Sequence, residues 1–318
     1  MTTIHPKAAT VRVSVIIVSY HCRQLVLDSL ASLYATAPRT SFEVIVVDNA
    51  STDGTVDSVR AAFPAVQVIG LDTNIGFGRG CNAGAAGANG EFILLLNPDT
   101  LVRPGAIDKL VELADARPNA GIWGGRTVTM EGAVIPGSCW RFPTLWSTFC
   151  FVSGLSRVFA NSRVFNREIY GGEPLDGVRD VEVVSGCLLM IRKQLWDTLG
   201  GFDPIYFMYS EEVDLCLRAY RLGARPVVSA DVQIVHFVGA TQPVRADRLV
   251  RLLKGRRTYM QRHWSRLGSA AGATLLLGWP LSRYAGLRVV QAVRRRGGGE
   301  SHTWREVWRR RNEWLPGY

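Results

Sequence analysis

Apolar and polar positions fall into short repeating blocks over the first 116 residues. Residues 11–19 (VRVSVIIVS) are β-branched and nearly continuous, the pattern of a strand buried on both faces. Leu25, Leu27, Leu30, Leu33 and Tyr34 then recur at helical spacing and predict a helix over 22–35. Residues 42–47 (FEVIVV) predict a second strand ending at Asp48-Asn49, and Ser51-Thr52-Asp53-Gly54 is turn and cap chemistry before a helix over 56–63. A short strand over 66–70, a Gly/Ala-rich helix over 77–88, and a buried strand over 92–96 (FILLL) follow. Pro104 opens a helix to about residue 116.

Repeated β-α units of this length predict a parallel sheet with right-handed crossovers. Ligands on such sheets bind beyond the carboxyl ends of the strands. Ser19, Asp48, Asn49, Asn97 and Asp99 all stand there. From 121 to 180 the pattern is looser and rich in Gly, Pro and aromatics. Beyond it we read a strand over 181–191, a helix over 193–199 closed by Gly200-Gly201, and a helix over 211–222 followed by Gly223. Late strands at 227–228 and 232–237 and a basic helix over 249–264 complete the pattern, with no solenoid-length repeat.

Composition narrows the class. The 318 residues are 47% hydrophobic and 20% charged, which excludes a wholly disordered, collagen-like or disulfide-scaffold chain. The six cysteines lie far apart with no C-x-x-C pair, so a zinc ribbon or redox motif is not expected and reduced thiols are. The net charge of +10 is uneven: residues 245–318 hold 17 Lys/Arg against 4 Asp/Glu, and residues 1–244 hold 20 against 23. A basic tail of this kind suits an anionic partner. No nucleic-acid motif accompanies it, and the acidic main part counts against a nucleic-acid partner. The uncharged stretch 267–282 is shorter than the roughly 20 residues of a spanning helix, contains Pro280, and reads as an interfacial or re-entrant element.

Four constellations carry candidate chemistry. Asp48-Asn49 can accept hydrogen bonds from a nucleoside, or form an Asx turn. Asn74-Ile-Gly-Phe-Gly-Arg-Gly-Cys-Asn82 lets phosphate approach the backbone, or lets a helix pack closely on the sheet. It is neither G-x-G-x-x-G nor a Walker loop. Asn97-Pro98-Asp99 puts a carboxylate at a strand end, where it can hold Mg²⁺ or Mn²⁺ or cap the next helix. Glu211-Glu212-Val213-Asp214 gathers three acids at a helix start, preceded by Tyr206, Phe207, Met208 and Tyr209. Acids there suit the helix dipole, and an acid among aromatics gains a raised pKa suited to a general base. Glu211 and Asp214 share a face, with Glu212 about 100° away. His236 ends a late strand, with Gly239 and Thr241 beyond it.

Taken in order, VSVIIVSY (13–20), DNASTDGT (48–55), NIGFGRGCNAG (74–84), LLLNPDT (94–100), SGCLLMIR (185–192), GGFDPIYFMYSEEVDLCLR (200–218) and HFVGAT (236–241) resemble the family 2 nucleotide-sugar glycosyltransferases of the GT-A fold. The resemblance is strongest to the bacterial rhamnosyltransferase-like branch and covers about residues 12–241. It implies an α/β, Rossmann-like, mostly parallel sheet flanked by helices, forming a catalytic domain over 1–244. Beyond it, Arg256-Arg257, Arg262, Arg266, Arg283, Arg288 and Arg294-Arg295-Arg296 flank weakly apolar segments, which predicts a basic, helical, membrane-associated extension over 245–318.

The resemblance also implies roles. Ser19, Tyr20, Asp48 and Asn49 would line a nucleoside pocket, with Arg79 and Asn82 near it. Asn97-Pro98-Asp99 stands in place of the D-x-D motif, so Asp99 would hold Mg²⁺ or Mn²⁺ at the donor diphosphate, Asn97 replacing the first acid. His236 would be a further metal ligand. Glu212 matches the base position, Glu211 remains an alternative base, and Asp214 completes the acidic motif. The implied reaction is inverting transfer from a dTDP- or UDP-sugar to a glycan or polyprenyl-linked acceptor in surface polysaccharide synthesis. It would take place at the cytoplasmic face of the membrane, held there by the basic region. dTDP-rhamnose is the favoured donor. UDP-galactofuranose, UDP-glucose and UDP-N-acetylglucosamine are the alternatives, and a catalytically dead sugar-nucleotide-binding scaffold is the non-enzyme reading.

Overall fold

A computed structural model describes residues 11–237, 245–294 and 299–318. The amino-terminal half runs β1 (Val13–Ser19), α1 (Arg23–Ala35), β2 (Phe42–Asp48), α2 (Thr55–Ala62), β3 (Gln67–Gly70), α3 (Phe77–Ala86), β4 (Phe92–Leu96), β5 (Thr100–Val102), α4 (Ala106–Ala116) and β6 (Ile122–Val128). The less regular segment holds β7 (Cys139–Trp140), α5 (Leu145–Ser153) and α6 (Leu155–Val158). Then come β8 (Val178–Asp180), β9 (Val183–Val184), β10 (Leu188–Arg192), α7 (Lys193–Leu199), α8 (Glu211–Arg221) and β11 (Val227–His236). The basic region is mainly helical in its described part: α9 (Arg245–His263), α10 (Arg266–Arg294), α11 (Gly299–Arg309) and α12 (Arg311–Trp314).

Among the described residues, nine strands form one sheet in the order β3-β2-β1-β4-β10-β6-β11-β5, with β8 on β11. β3, β2, β1 and β4 are parallel, as the β-α repeat predicts. Beyond β4 the sheet is mixed, because β10 enters antiparallel between β4 and β6. The two-residue period of a strand sorts side chains into two layers. Val13, Val15 and Ile17 pack with Leu30 and Leu110 on one face, and Ile16 and Val18 pack with Cys81 and Leu215 on the other. α3 lies close to the sheet because it is glycine-rich: a Cβ on Gly80 or Gly84 would come within 2.8 Å of Val18 or 2.7 Å of Ile16.

Three expectations change. The strand expected over 181–191 is broken at Ser185-Gly186-Cys187, where the chain passes from pairing with β7 to pairing with β4 and β6. The two late strands are one, β11, with a register shift between Ser229 and Gln233. Residues 267–282, expected as an interfacial or re-entrant element, are part of one long helix, α10, which carries Pro280 inside it and buries Leu276 and Trp279. Among the described residues no helix is long and apolar enough to cross a membrane.

The basic region packs on the sheet domain through a third apolar cluster. Val152 of α5 meets Val250, Leu253 and Met260 of α9, Leu276 and Trp279 of α10, and Trp304, Val307 and Trp314 beyond. Each such side chain contributes about 1.5–3 kcal/mol when fully buried. Much of the cationic charge is used internally. Arg256 pairs with Glu168, Arg262 with Asp203, and Arg310 with Asp247 and Glu313. Arg257 donates to the Ser269 hydroxyl and the Leu315 carbonyl. Arg256 and Arg257 are thus engaged inside the protein, while Arg262 pairs with Asp203 and stays half-exposed. Arg295 and Arg296 lie outside the described residues.

Candidate active site

A cavity of about 620 Å³ opens at the carboxyl ends of β1, β2 and β4, within the usual range for small-molecule sites. Ser19, Tyr20, Asn49, Asn97, Asp99 and His236 line one side, and Glu211 and Glu212 line it from the start of α8. Asp48, Arg79, Asn82 and Asp214 do not reach it.

The strand ends are built by mutual bonding. Ser19 Oγ donates to Asp48 Oδ1 at 2.8 Å, and the Ser51 N–H donates to Asp48 Oδ2 at 2.7 Å. The buried Asp48 carboxylate therefore fixes Ser19 and the turn, the Asx-turn alternative. Asn49 Nδ2 donates to the Gly76 carbonyl at 3.2 Å, tying β2 to the turn before α3. Gly76 has φ +89°, and a Cβ there would lie 2.2 Å from the Phe207 carbonyl oxygen. The Phe77 N–H donates to that same carbonyl at 2.9 Å. The glycines of this segment thus serve close packing. Its polar members serve the same end. Arg79 Nε donates to the Pro204 carbonyl at 2.7 Å, and the Asn82 amide brackets Phe202, donating to its carbonyl at 2.8 Å and accepting from its N–H at 2.9 Å.

Register explains a second pair. β5 begins at Thr100, opposite His236 of β11, so the preceding Asp99 lies beside the imidazole. His236 Nε2 is 3.4 Å from Asp99 Oδ1, and this buried oxygen has no hydrogen-bond partner. A buried carboxylate oxygen without a hydrogen bond, next to an imidazole nitrogen, fits a divalent cation. Among the described residues no group of three His, Cys, Asp or Glu forms a complete ligand set. Gly239 and Thr241 of the late histidine motif lie outside the described residues.

Across the cavity, Tyr209 and Ser210 adopt left-handed conformations, φ +71° and +72°, and turn the chain into α8. Glu211 is buried with Oε2 unpartnered. Burial pushes Glu212 up to about 7, against the opposing pull of the backbone N–H groups at the helix start. Burial pushes Glu211 well above the carboxylate range, and the neighbouring Glu212 charge adds to it. Asp214 goes the other way. Its carboxylate is bonded to His263 Nε2 at 2.6 Å and Arg218 Nε at 2.7 Å, which hold it below the usual range in spite of burial. Asp214 fastens α8 to α9, while Glu211 and Glu212 face the cavity.

Trp140, Pro143, Glu168 and Ile169 of the irregular segment form part of the remaining wall, and Arg248, Arg251, Arg256 and Tyr259 of α9, which were not foreseen in the sequence, line it too. α9 approaches because residue 255 is glycine, where a Cβ would lie 2.3 Å from the Tyr209 carbonyl oxygen. Arg256 stacks 4.9 Å from the centre of the Phe151 ring. The arginines stand at i, i+3 and i+8 along the helix, but charge alone does not say which side of it turns inward.

The profile described as Glycosyl transferase family 2 matches residues 14–168. The N-acetylglucosaminyl-diphospho-decaprenol L-rhamnosyltransferase of Mycobacterium tuberculosis is 32% identical over 221 residues, which span 65% of this chain and 70% of that protein. The chain belongs to glycosyltransferase family 2. Another relative of this glycosyltransferase is the O-antigen biosynthesis protein RfbC of Myxococcus xanthus, 26% identical over 76% of this chain and 18% of that one. Solved structures support the GT-A fold. The mannosyltransferase PcManGT of Pyrobaculum calidifontis, in complex with GDP-Man and Mn²⁺, aligns with a TM-score of 0.57 at 20% identity, over 96% of this chain and 85% of that one. Residues 1–349 of S. aureus TarS, in complex with UDP-GlcNAc, align with a TM-score of 0.52 at 19% identity, over 92% and 78%.

Proposed function

We propose that this glycosyltransferase transfers a sugar, with inversion, from a nucleoside-diphosphate donor to a hydroxyl of a lipid-linked glycan acceptor, at the cytoplasmic face of the membrane. The observation that carries the reading is the pairing, in one cavity, of a buried carboxyl pair on α8 with the Asp99–His236 pair at the strand ends. Ser19, Tyr20 and Asn49 hold the nucleoside, with Asp48 positioning Ser19 from behind. Glu212 is the base: near neutral pH a carboxyl of pKa about 7 is part ionised and basic enough to take the acceptor's proton. Glu211 stays protonated beside it. As the acceptor oxygen attacks the anomeric carbon, Glu212 takes its proton and the nucleoside diphosphate departs from the opposite face.

Asp99 and His236 would hold Mg²⁺ or Mn²⁺, with donor oxygens and water completing the shell. Such an ion supplies charge stabilisation to the leaving diphosphate. The name of the Mycobacterium tuberculosis relative supports rhamnose as the sugar and a diphospho-polyprenol as the acceptor carrier, and we take dTDP-rhamnose as the donor. The test is nucleoside diphosphate release from a panel of dTDP-rhamnose, UDP-galactofuranose, UDP-glucose and UDP-N-acetylglucosamine, with and without membrane lipid extract. Release from dTDP-rhamnose that requires extract and disappears in Glu212→Gln supports the reading. Release from another donor alone refutes the rhamnose assignment, and donor binding without release under any condition supports the scaffold reading.

A further inference from the structure

We propose that the outer face of α5, α6 and the following turn to Ile169 is the surface with which the protein sits on an anionic bilayer. Trp146, Phe149, Val158, Phe159, Val164 and Ile169 are 39–75% exposed there. They form one patch: ring centroids are 5.7 Å apart for Trp146–Phe149, 6.0 Å for Trp146–Phe165 and 5.0 Å for Phe159–Phe165. α5 has no charged residue, yet only its inner side is covered, with Cys150 and Val152 buried and Phe151 against Trp279 at 4.6 Å. A helix apolar on both sides needs an apolar neighbour for the second one. The Trp146 indole N–H already donates to the Val164 carbonyl at 3.0 Å, so the ring can leave water without losing a hydrogen bond.

Charge identifies the neighbour. Residues 141–167 contain four arginines and no acid. Arg157, Arg163 and Arg167 are exposed around the aromatic patch, while Arg141 is paired with Glu173. Aromatic side chains ringed by cations match the headgroup region of an anionic leaflet. A symmetric pairing of two copies through this face would set arginines against arginines. The patch is also continuous with the cavity, since Pro143, Glu168 and Ile169 belong to the cavity wall. A glycan entering the site would leave its lipid at the Ile169 rim, a consequence that rests on the lipid-linked acceptor proposed above; the docking chemistry itself does not.

The experiment is co-sedimentation of the full chain with phosphatidylcholine vesicles, with and without phosphatidylglycerol, in the absence of donor and acceptor. Wild type should bind the anionic vesicles. Trp146→Ser/Phe149→Ser/Phe159→Ser should bind at least about tenfold more weakly, since each half-exposed ring contributes a severalfold factor. Arg157→Gln/Arg163→Gln/Arg167→Gln should lose the preference for phosphatidylglycerol. Both variants should keep the wild-type melting temperature and calorimetric affinity for dTDP or UDP. Arg266→Gln/Arg288→Gln, on exposed positions of α10, should bind vesicles like wild type. The proposal is overturned if wild type binds no vesicle, if the aromatic variant binds undiminished, or if sedimentation velocity shows a wild-type dimer that the aromatic variant dissociates. Loss of vesicle binding with donor turnover intact on extract separates this surface from the catalytic reading. Absence of turnover with vesicle binding intact refutes that reading alone.

Discussion

Replacing Glu212 by Gln should move activity and stability in opposite directions, because the burial that suits Glu212 to the base role proposed for it opposes its charge. An unfolded glutamate ionises near 4.5, and the folded one near 7. The folded state therefore holds this proton more tightly. The contribution of Glu212 to stability is greatest below pH 4.5, falls as pH rises to about 7, and is level above. At about 1.4 kcal/mol per unit, the loss is about 3 kcal/mol. Glu212→Gln removes that loss without removing an ion pair, so it should raise the melting temperature by several degrees at pH 8 and leave it unchanged at pH 4. Its turnover should fall by about 10²–10⁴. In wild type, kcat/KM should drop about tenfold per pH unit below 7 and reach a plateau above it, because only the ionised base accepts a proton. Diphosphate release and thermal melts between pH 4 and 8 supply both readouts. A flat wild-type rate profile, or a Glu212→Gln variant whose gain in melting temperature over wild type is no larger at pH 8 than at pH 4, would refute the reasoning.

Asp214→Asn leaves Arg218 and His263 without their carboxylate and should cost about 3–5 kcal/mol in urea unfolding at pH 7. Because the Asp214 carboxyl is held low, that deficit should narrow only as pH falls below the ordinary aspartate range. Asp99→Asn should weaken Mn²⁺ binding measured by calorimetry with UDP present by at least about tenfold, with UDP affinity in the absence of metal unchanged. Gly255→Ala places a Cβ 2.3 Å from the Tyr209 carbonyl oxygen, so α9 or the turn before α8 must shift; kcat should fall more than donor affinity.

The parts of this molecule with strict periodicity were legible. The parallel strands, α1 to α4, α7 and α8 each appear within a few residues of their expected bounds, since burial on one face or two leaves a period that needs no partner to be read. Ser19, Asn49, Asn97 and Asp99 were found for the same reason, standing where apolar strands stop. What a motif does with each side chain was less legible. Glu211, Glu212 and Asp214 are three acids in four residues, and only the position of His263, 49 residues after Asp214, separates the bound carboxylate from the two that face the cavity. Arg79 and Asn82 belong to a loop clamp for a similar reason: Phe202 and Pro204 are more than 100 residues away in sequence. The charge step near residue 245 marked a change in composition, while packing across that step is continuous.

That continuity bears on how the site is held. Tyr209 and Ser210 occupy left-handed backbone conformations that cost non-glycine residues about 1–3 kcal/mol each, so neighbouring structure must hold them. Much of that hold comes from the basic region. Gly255 brings the α9 backbone against the Tyr209 carbonyl, and His263 bonds Asp214 one turn into α8. The last residue contributes as well: the Tyr318 hydroxyl donates to the Met208 carbonyl at 2.8 Å, while its own N–H donates to Thr258 of α9 at 2.7 Å. Strand ends alone can present Ser19, Asn49 and Asp99, because sheet hydrogen bonding fixes them. The carboxyl pair on the opposite wall has no such ladder behind it. Here the carboxyl-terminal helices take that part, which is why arginines of α9 appear in the cavity wall and why so much of their charge is satisfied inside the protein.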